Sequence, residues 1–508
     1  MLRYITIIFI SSHVSVYSQS CEPINFGGES IVCKCNSTYC DFYSDPKPIT
    51  TGEFIWYVTS KSGLRLNRFM GKIANKCENN HVIKINSNIR YQSMKGFGGA
   101  ITDAAGINIK KLSEKSQDNL MRSYFGKDGS KYNIGRIPIA GTDFSTRAYT
   151  YDDTSGDKEL KYFKLVDEDF LYKMPLMKRA KELNPSIRFL ATPWTAPPWM
   201  KSNKKYNGLG WLLDEYYQTY ANYIIKFLEE YQKHGFNMWA VSTGNEPLAV
   251  LNPLSHINTM LWTPCSLSAW VVEYLGPSLQ KSISNSTSIL IIDDQRLTLP
   301  IYAGVMAIFY RNTLQYVKGL AVHWYLDEFI PPFTLDITHM MIPDKFIIST
   351  EFSVGNRPWE MIKVDLGSWS RAERLILKLI QNINHWVSGW IDWNLALDIK
   401  GGPNWVGNNI DALIIVDPEN DTFYKQPMYY AMTHFSKFVS LSSIRIEAKS
   451  NFNTIAFTAF LTSDNYVVLI LYNSNANQQN VSIVDDKVGS INIALTAYSL
   501  QTILYKNR

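Results

Sequence analysis

The 508-residue chain carries little charge: 19% of its residues are Asp, Glu, Lys or Arg, and 50 basic against 45 acidic side chains leave a formal +5. That near-balance excludes nucleic-acid binding through bulk charge, while the small positive excess suits contact with an anionic lipid surface. Histidine is scarce, at eight residues, and no H-E-x-x-H helix is present, so a zinc-protease site is excluded. There is no G-x-S-x-G nucleophile elbow and no Walker loop. No G-x-G-x-x-G opens a first βα turn either, which argues against a dinucleotide-binding sheet; Gly96-Phe97-Gly98-Gly99 has the wrong spacing. No metal ion or cofactor is expected. Beyond about residue 20 no apolar run reaches ~18 residues, the length that a membrane-spanning helix needs.

What is present is ordinary globular composition, 46% hydrophobic, with 14 Trp, 30 Tyr and 24 Phe. Residues 1–20 read as a secretory signal, with Arg3 ahead of an apolar stretch over Ile5 to Ile10 and small residues at Ser18 and Ser20. Four of the six cysteines, Cys21, Cys33, Cys35 and Cys40, crowd the next twenty positions. In an exported chain that density indicates disulfides. Zinc is the alternative, weakened because only Cys33 and Cys35 lie close and no paired histidines follow. N-x-S/T sequons stand at Asn36, Asn285, Asn420 and Asn480, acceptors for glycans in the secretory pathway.

From about residue 95 strand-like and helix-like patterns alternate. Met94 to Ala100, Ile134 to Ile139, Arg188 to Thr192, Asn237 to Ser242, Ile289 to Ile292, Leu320 to Trp324, Phe346 to Ser349 and Gly389 to Ile391 make eight strands. Between the third and fourth strands, Tyr217, Tyr220, Ala221, Ile224, Leu228 and Tyr231 fall on one helical face. Eight such repeats predict a (β/α)8 TIM barrel over 93–442. From about 443 alternating strands separated by turn residues predict an all-β, immunoglobulin-like sandwich, completed from the N-terminal side by 47–92. Residues 21–46 form a small disulfide-bonded β segment.

A barrel of this kind carries its chemistry at the C-terminal ends of the strands. There the sequence places Asp103, Asp143, Trp194, Asn245-Glu246, Asp293-Asp294, His323, Glu351 and Asp392. Glu246, in Thr243-Gly244-Asn245-Glu246-Pro247, and Glu351, in Ser349-Thr350-Glu351-Phe352, sit on strands that face one another across the barrel, so both carboxylates can enter one cleft. Hydrolysis of a glycosidic bond needs such a pair: an acid on the leaving oxygen and a carboxylate across the anomeric carbon. Trp194, Trp199, Trp324, Tyr325 and Trp393 lie near the same rim, and flat aromatic rings can stack on the C–H face of a sugar. His323 reads as a support for Glu351, since no second histidine follows at ligand spacing.

At these residues the chain resembles glycoside hydrolase family 30 of clan A, in its glucosylceramidase branch. The resemblance runs through nearly all of the mature sequence: Lys95-Gly96-Phe97-Gly98-Gly99-Ala100, Asp293-Asp294-Gln295-Arg296-Leu297, Ala321-Val322-His323-Trp324-Tyr325-Leu326-Asp327, Asp392-Trp393-Asn394-Leu395, Gly401-Gly402-Pro403-Asn404-Trp405-Val406 and Asp421-Thr422-Phe423-Tyr424-Lys425-Gln426-Pro427-Met428. It implies a retaining β-glucosidase acting on glucosylceramide, with Glu246 as acid/base and Glu351 as nucleophile. By the same matching, Asp143, Trp194, Asn245, Trp393 and Asn408 correspond to glucose-binding positions, Tyr325 to a residue beside the nucleophile, and the disulfides to Cys21 with Cys33 and Cys35 with Cys40. It also implies a saposin-type activator, a sorting receptor and residence in the lysosomal lumen at the membrane surface, with secretion as the alternative. The rival activities are a related retaining β-glycosidase, of β-xylosidase or galactosylceramidase type, and an inactive secreted barrel that binds glycan or lipid. The chain departs from the family at Gly244, where relatives carry Glu, and over 249–262, which bears on the shape of the cleft mouth. Cys77 and Cys265 have no counterpart.

Overall fold

In the computed structural model, residues 20–46, 49–253 and 255–508 are described; nearly all of the signal segment lies outside them. Eight parallel strands close into a barrel: β1 Gly96–Ala100, β2 Ile134–Ile139, β3 Arg188–Pro193, β4 Met238–Ser242, β5 Ser288–Gln295, β6 Val317–His323, β7 Phe346–Glu351 and β8 Val387–Asn394. Their inward residues Ile134, Leu190, Ala240, Leu290, Ala321, Ile348 and Ile391 are fully buried and in mutual contact, so the barrel's base is packed rather than hollow. The surrounding helices are amphipathic. In Trp369–Asn384 the residues Leu375, Ile376, Leu379, Ile380 and Ile383 recur at helical spacing and are all buried, each contributing about 1.5–3 kcal/mol relative to exposure.

Nine strands form the β-domain, three from the N-terminal side (Glu53–Ser60, Asn67–Lys72, His81–Ser93) and six beyond Ile444. Strand His81–Ser93 joins the two contributions, pairing with both Ile444–Ser450 and Gln479–Asp485. Phe54, Ile83, Ile446, Val467, Leu469, Ile483, Ile491 and Ile503, drawn from across this sheet, share one core. The helix Pro427–Ser436 ties the domain to the barrel through His434, whose two ring nitrogens meet Thr502 Oγ1 at 2.7 Å and Thr59 Oγ1 at 2.9 Å. Burial pulls the His434 pKa down to about 3, so the pin is a neutral imidazole.

The N-terminal segment holds disulfides Cys21–Cys33 and Cys35–Cys40; Cys77 and Cys265 are free and exposed. Its strand Val32–Asn36 does not stand alone. It pairs with Thr422–Lys425, which continues through Ile414–Asp417 to Leu397–Asp398, forming a five-stranded sheet with Pro23–Ile24 on the outer edge. Asn285, Asn420 and Asn480 are exposed, whereas Asn36 is half-buried and its Oδ1 accepts from the Thr38 and Tyr39 backbone. Among the described residues no helix is long and apolar enough to cross a membrane.

Candidate active site

Strand β5 is where the regular pleat breaks. Ile292 and Asp293 both have positive φ, 86° and 58°, a conformation that β-branched residues rarely adopt. The register with β6 skips there, pairing Ile292 with Ala321 and Asp294 with Val322, so Asp293 is the extra residue of a bulge. Bulges re-aim side chains. This one sends Asp293 into the barrel, fully buried, and leaves consecutive carboxylates serving different neighbours.

Asp293 anchors a charged network. Arg136, fully buried on β2, donates Nη2 to Asp293 Oδ2 at 3.1 Å and to Asn245 Oδ1 at 2.7 Å, and Nη1 to Glu351 Oε2. Ser242 and Thr350 hydroxyls add bonds of 2.6 and 2.5 Å to the Asp293 carboxylate. Burial raises the Asp293 pKa, but Arg136, His323 and Ser242 outweigh it and hold the group ionised, well below the usual carboxylate range. Because guanidinium can only donate, Asn245 must meet Arg136 with its carbonyl oxygen, which leaves the amide NH2 for the cleft. The Arg136 guanidinium also lies over Trp194 and Trp393, 4.9 and 5.3 Å from their ring centres, and those two indoles stack at 5.1 Å.

Glu351, at the end of β7, is 5% exposed. Both its oxygens are engaged, Oε2 by Arg136 and Oε1 by the Tyr325 hydroxyl at 2.7 Å. Glu246 follows β4 in a left-handed conformation, φ 42° and ψ 61°. Its Oε1 meets Gln295 Nε2 and His323 Nδ1, each at 2.8 Å, while His323 Nε2 lies 2.9 Å from Asp293 Oδ1. Burial lowers the His323 pKa, but the Glu351 charge and the bonds to Asp293 and Glu246 prevail and push it up to about 10. The ring is therefore an imidazolium donating from both nitrogens. With two donors on Oε1, Oε2 is the Glu246 oxygen left for a further hydrogen bond. One carboxylate oxygen of each glutamate and a ring nitrogen of His323 all lie within 4.8 Å of one another.

The cleft over this pair has a volume of about 560 Å³ and is lined by Asp143, Trp194, Asn245, Glu246, Tyr325, Glu351, Trp393 and Asn408 among others. Asn408 donates Nδ2 to Asp143 Oδ2 at 2.7 Å, and burial, partly offset by that bond, pushes the Asp143 pKa up to about 7. All eight residues expected at the site from the sequence thus line one cleft. A wider polar groove of about 1020 Å³ runs beside residues 146–172, and none of the strand-end residues line it.

Other expectations are corrected. Trp199 is turned into the fold, its Nε1 donating to the Asp152 carbonyl and its ring packed edge-on against Tyr216; Trp324 is buried against Phe352. Neither is among the residues lining the cleft. Asp103 pairs with Lys173 and accepts from Ser145 and Tyr149, in a separate buried cluster. Asp392 is buried, and desolvation, reinforced by the Asp411 and Glu351 charges, keeps its carboxyl well above its ordinary pKa. His323 does lie near Glu351, at 4.0 Å, and in addition binds Glu246 at 2.8 Å. A Cβ at Gly244 would lie 3.6 Å from the Trp262 ring, so this departure bears on the packing behind Asn245, whereas Ala249, Ser255 and Ile257 of the divergent loop line the cleft itself. Arg136 and Gln295 were not anticipated. An arginine inside the apolar run Ile134-Gly135-Arg136-Ile137 was the available signal, since a buried charge demands partners.

Comparison with known proteins agrees with this geometry. The glycosyl hydrolase family 30 TIM-barrel domain matches residues 94–439 and the glycosyl hydrolase family 30 beta sandwich domain matches 442–503. The lysosomal acid glucosylceramidase of Mus musculus is 39% identical over 499 residues, 97% of this chain and 96% of the relative. Among solved structures, SrfJ from Salmonella typhimurium superposes with TM-score 0.83 at 28% identity, covering 90% of this chain and all of that one. An endo-β1,6-glucanase does so with TM-score 0.79 at 26% identity, covering 89% and 100%. The chain belongs to glycoside hydrolase family 30 and is a glycoside hydrolase.

Proposed function

We propose that the chain is a retaining β-glucosidase that hydrolyses glucosylceramide to glucose and ceramide by double displacement. The observation that carries this reading is the close approach of Glu246 and Glu351, whose nearest ligand oxygens lie within 4.8 Å. Retaining enzymes hold their carboxyl groups about 5–5.5 Å apart, and inverting ones about 6.5–9.5 Å, to admit a water. Glu351, held by Arg136 and Tyr325, attacks the anomeric carbon while Glu246 delivers a proton from Oε2 to the departing ceramide oxygen. The resulting glucosyl ester on Glu351 is then cleaved by water that gives its proton to Glu246, restoring both groups and the original configuration. Trp194 and Trp393 form an aromatic wall of the sugar pocket, Asp143 and Asn408 bind the outer hydroxyls, and the Asn245 NH2 donates to the 2-hydroxyl, a contact that strengthens in the transition state.

The mouth supports a lipid aglycone. Leu248, Leu297 and Leu326 line it, and Leu251, Leu297, Phe329, Trp359 and Met361 are exposed. Arg357 lies over both the Phe329 and Trp359 rings, 5.9 and 5.4 Å from their centres. Exposed apolar residues with a cation among them suit an anionic membrane surface. The mouse relative's name and the N-terminal disulfides support delivery through the secretory pathway to the lysosome.

Trapping with a glucose-configured covalent inactivator, followed by peptide mapping, tests the reading. Label on Glu351 is expected, and label elsewhere overturns the assignment. Side-by-side turnover of aryl β-glucoside, β-xyloside and β-galactoside is expected to favour the glucoside, with glucosylceramide cleaved faster in vesicles containing anionic lipid. A preference for xylose or galactose would replace the substrate.

A further inference from the structure

Asp294 lines the same cleft as the glutamate pair and is 3% exposed. Its carboxylate is spent on backbone: Oδ2 accepts from Leu248 N at 3.0 Å and Oδ1 from Gln295 N at 2.6 Å. Both partners bear on Glu246. Leu248 lies in the single 3-10 turn Pro247–Leu251 that follows the left-handed Glu246. At the start of such a turn the first N–H groups have no partner within it, and Pro247 has none to offer. Asp294 supplies the missing acceptor from another strand. On the other side of the same residue, Glu246 N donates to Asp293 O at 2.9 Å. The backbone is thus tied to the β5 bulge both at Glu246 and two residues beyond it.

The second bond acts on the side chain. Gln295, whose own N–H is held by Asp294, turns Nε2 onto Glu246 Oε1 and receives Leu326 N on Oε1 at 3.1 Å. A left-handed conformation at a non-glycine residue costs on the order of 1 kcal/mol and persists only where its surroundings enforce it. We propose that Asp294 is a positioning residue for proton delivery: through Leu248 it enforces the turn at Glu246, and through Gln295 it aims the Glu246 carboxyl. The inference rests on the reading of Glu246 as the acid/base. Burial pushes the Asp294 pKa up to about 7, so a carboxyl is kept here at a desolvation cost, as expected of a group retained for geometry.

The test separates proton delivery from general damage by leaving group. Asp294→Ala removes both acceptors and Asp294→Ser keeps one; each is compared with wild type on octyl β-glucoside, whose alkoxide needs a proton to leave, and on 2,4-dinitrophenyl β-glucoside, whose phenolate does not. Rates are normalised to sites labelled by 2-deoxy-2-fluoro-β-glucosyl fluoride, so that only folded enzyme with a working Glu351 is counted. For Asp294→Ala, kcat/KM on the octyl glucoside is expected to fall about tenfold or more, part of the 10²–10⁴ that acid catalysis supplies. On the dinitrophenyl glucoside it should hold within about threefold, and azide should accelerate turnover of that substrate. Asp294→Ser should fall between. Equal losses on both substrates, or no loss on either, overturn the proposal. Glu246→Ala is the control: if it lacks the same split, the acid/base assignment fails, and if it shows the split while Asp294→Ala does not, this inference alone fails.

Discussion

His323 Nδ1 lies 2.8 Å from Glu246 Oε1, and its other nitrogen is bound to Asp293, itself an ionised partner of Arg136. Glu246 and Glu351 are therefore held by one buried ionic framework, Arg136 on the Glu351 side and His323 on the Glu246 side. Charge is balanced within it by Asp293.

That framework has a pH signature. The His323 pKa rises from 6.5 to about 10 on folding, so its contribution to stability is complete below about pH 6.5 and is lost as pH climbs toward 10. Thermal unfolding of wild type and His323→Gln from pH 5 to 10 should show the largest gap at acid pH and a shrinking gap above 6.5. A gap that widens with pH would mean that the ring is neutral.

Replacing Arg136 by Met should leave Glu351 and Asp293 buried without their cation, at a cost of about 3–5 kcal/mol. Arg136→Lys keeps charge but not the three-way fork to Glu351, Asn245 and Asp293. It should be the more stable of the two, yet lose about 10²-fold in activity through misplacement of the glutamate. Denaturant midpoints and glucoside turnover check both.

His434 should act in the opposite sense to His323. Its folded pKa is depressed to about 3, so folding expels a proton below the unfolded value near 6.5 and stability falls as pH drops through that range. His434→Gln, which keeps a hydrogen-bonding side chain between Thr59 and Thr502, should unfold more easily at pH 7.5 and lose less stability than wild type between pH 6.5 and 4.

The Cys21–Cys33 bridge closes a 12-residue separation and Cys35–Cys40 one of 5. Loop-closure entropy predicts up to about 3 kcal/mol for the first and less for the second. Paired Cys→Ala variants should therefore rank in that order by loss of melting temperature, with glucoside turnover at 25 °C largely kept.

Much of the fold was legible because it rests on local periodicity. All eight barrel strands were readable from short apolar runs, and Ile134–Ile139 had the predicted bounds. The β5 bulge was not, since a two-residue excursion to positive φ leaves no mark on the alternation of Ile289 to Ile292. Asp293 and Asp294 could therefore be placed at the rim but not assigned separate partners. Glu246 and Glu351 were legible as strand-end acids facing one another. Arg136 is hidden by its position inside a strand, where alternation signals only packing, and the burial of Trp199 and Trp324 does not follow from the sequence because proximity to a rim does not fix which way an indole turns.

The five-stranded sheet orders events during synthesis. Strand Val32–Asn36 pairs with Thr422–Lys425, Asn36 facing Thr422, so its partner emerges nearly 400 residues later, about 20–80 s at ordinary translation rates. Both bridges join cysteines close in sequence and can close long before then. The N-terminal segment thus waits as a preformed clasp, and the loop bearing Asn408, between Leu397–Asp398 and Ile414–Asp417, is fastened only once Thr422–Lys425 has emerged. An oxidation fault in the N-terminal segment would therefore delay closure of that side of the cleft rather than alter the finished site.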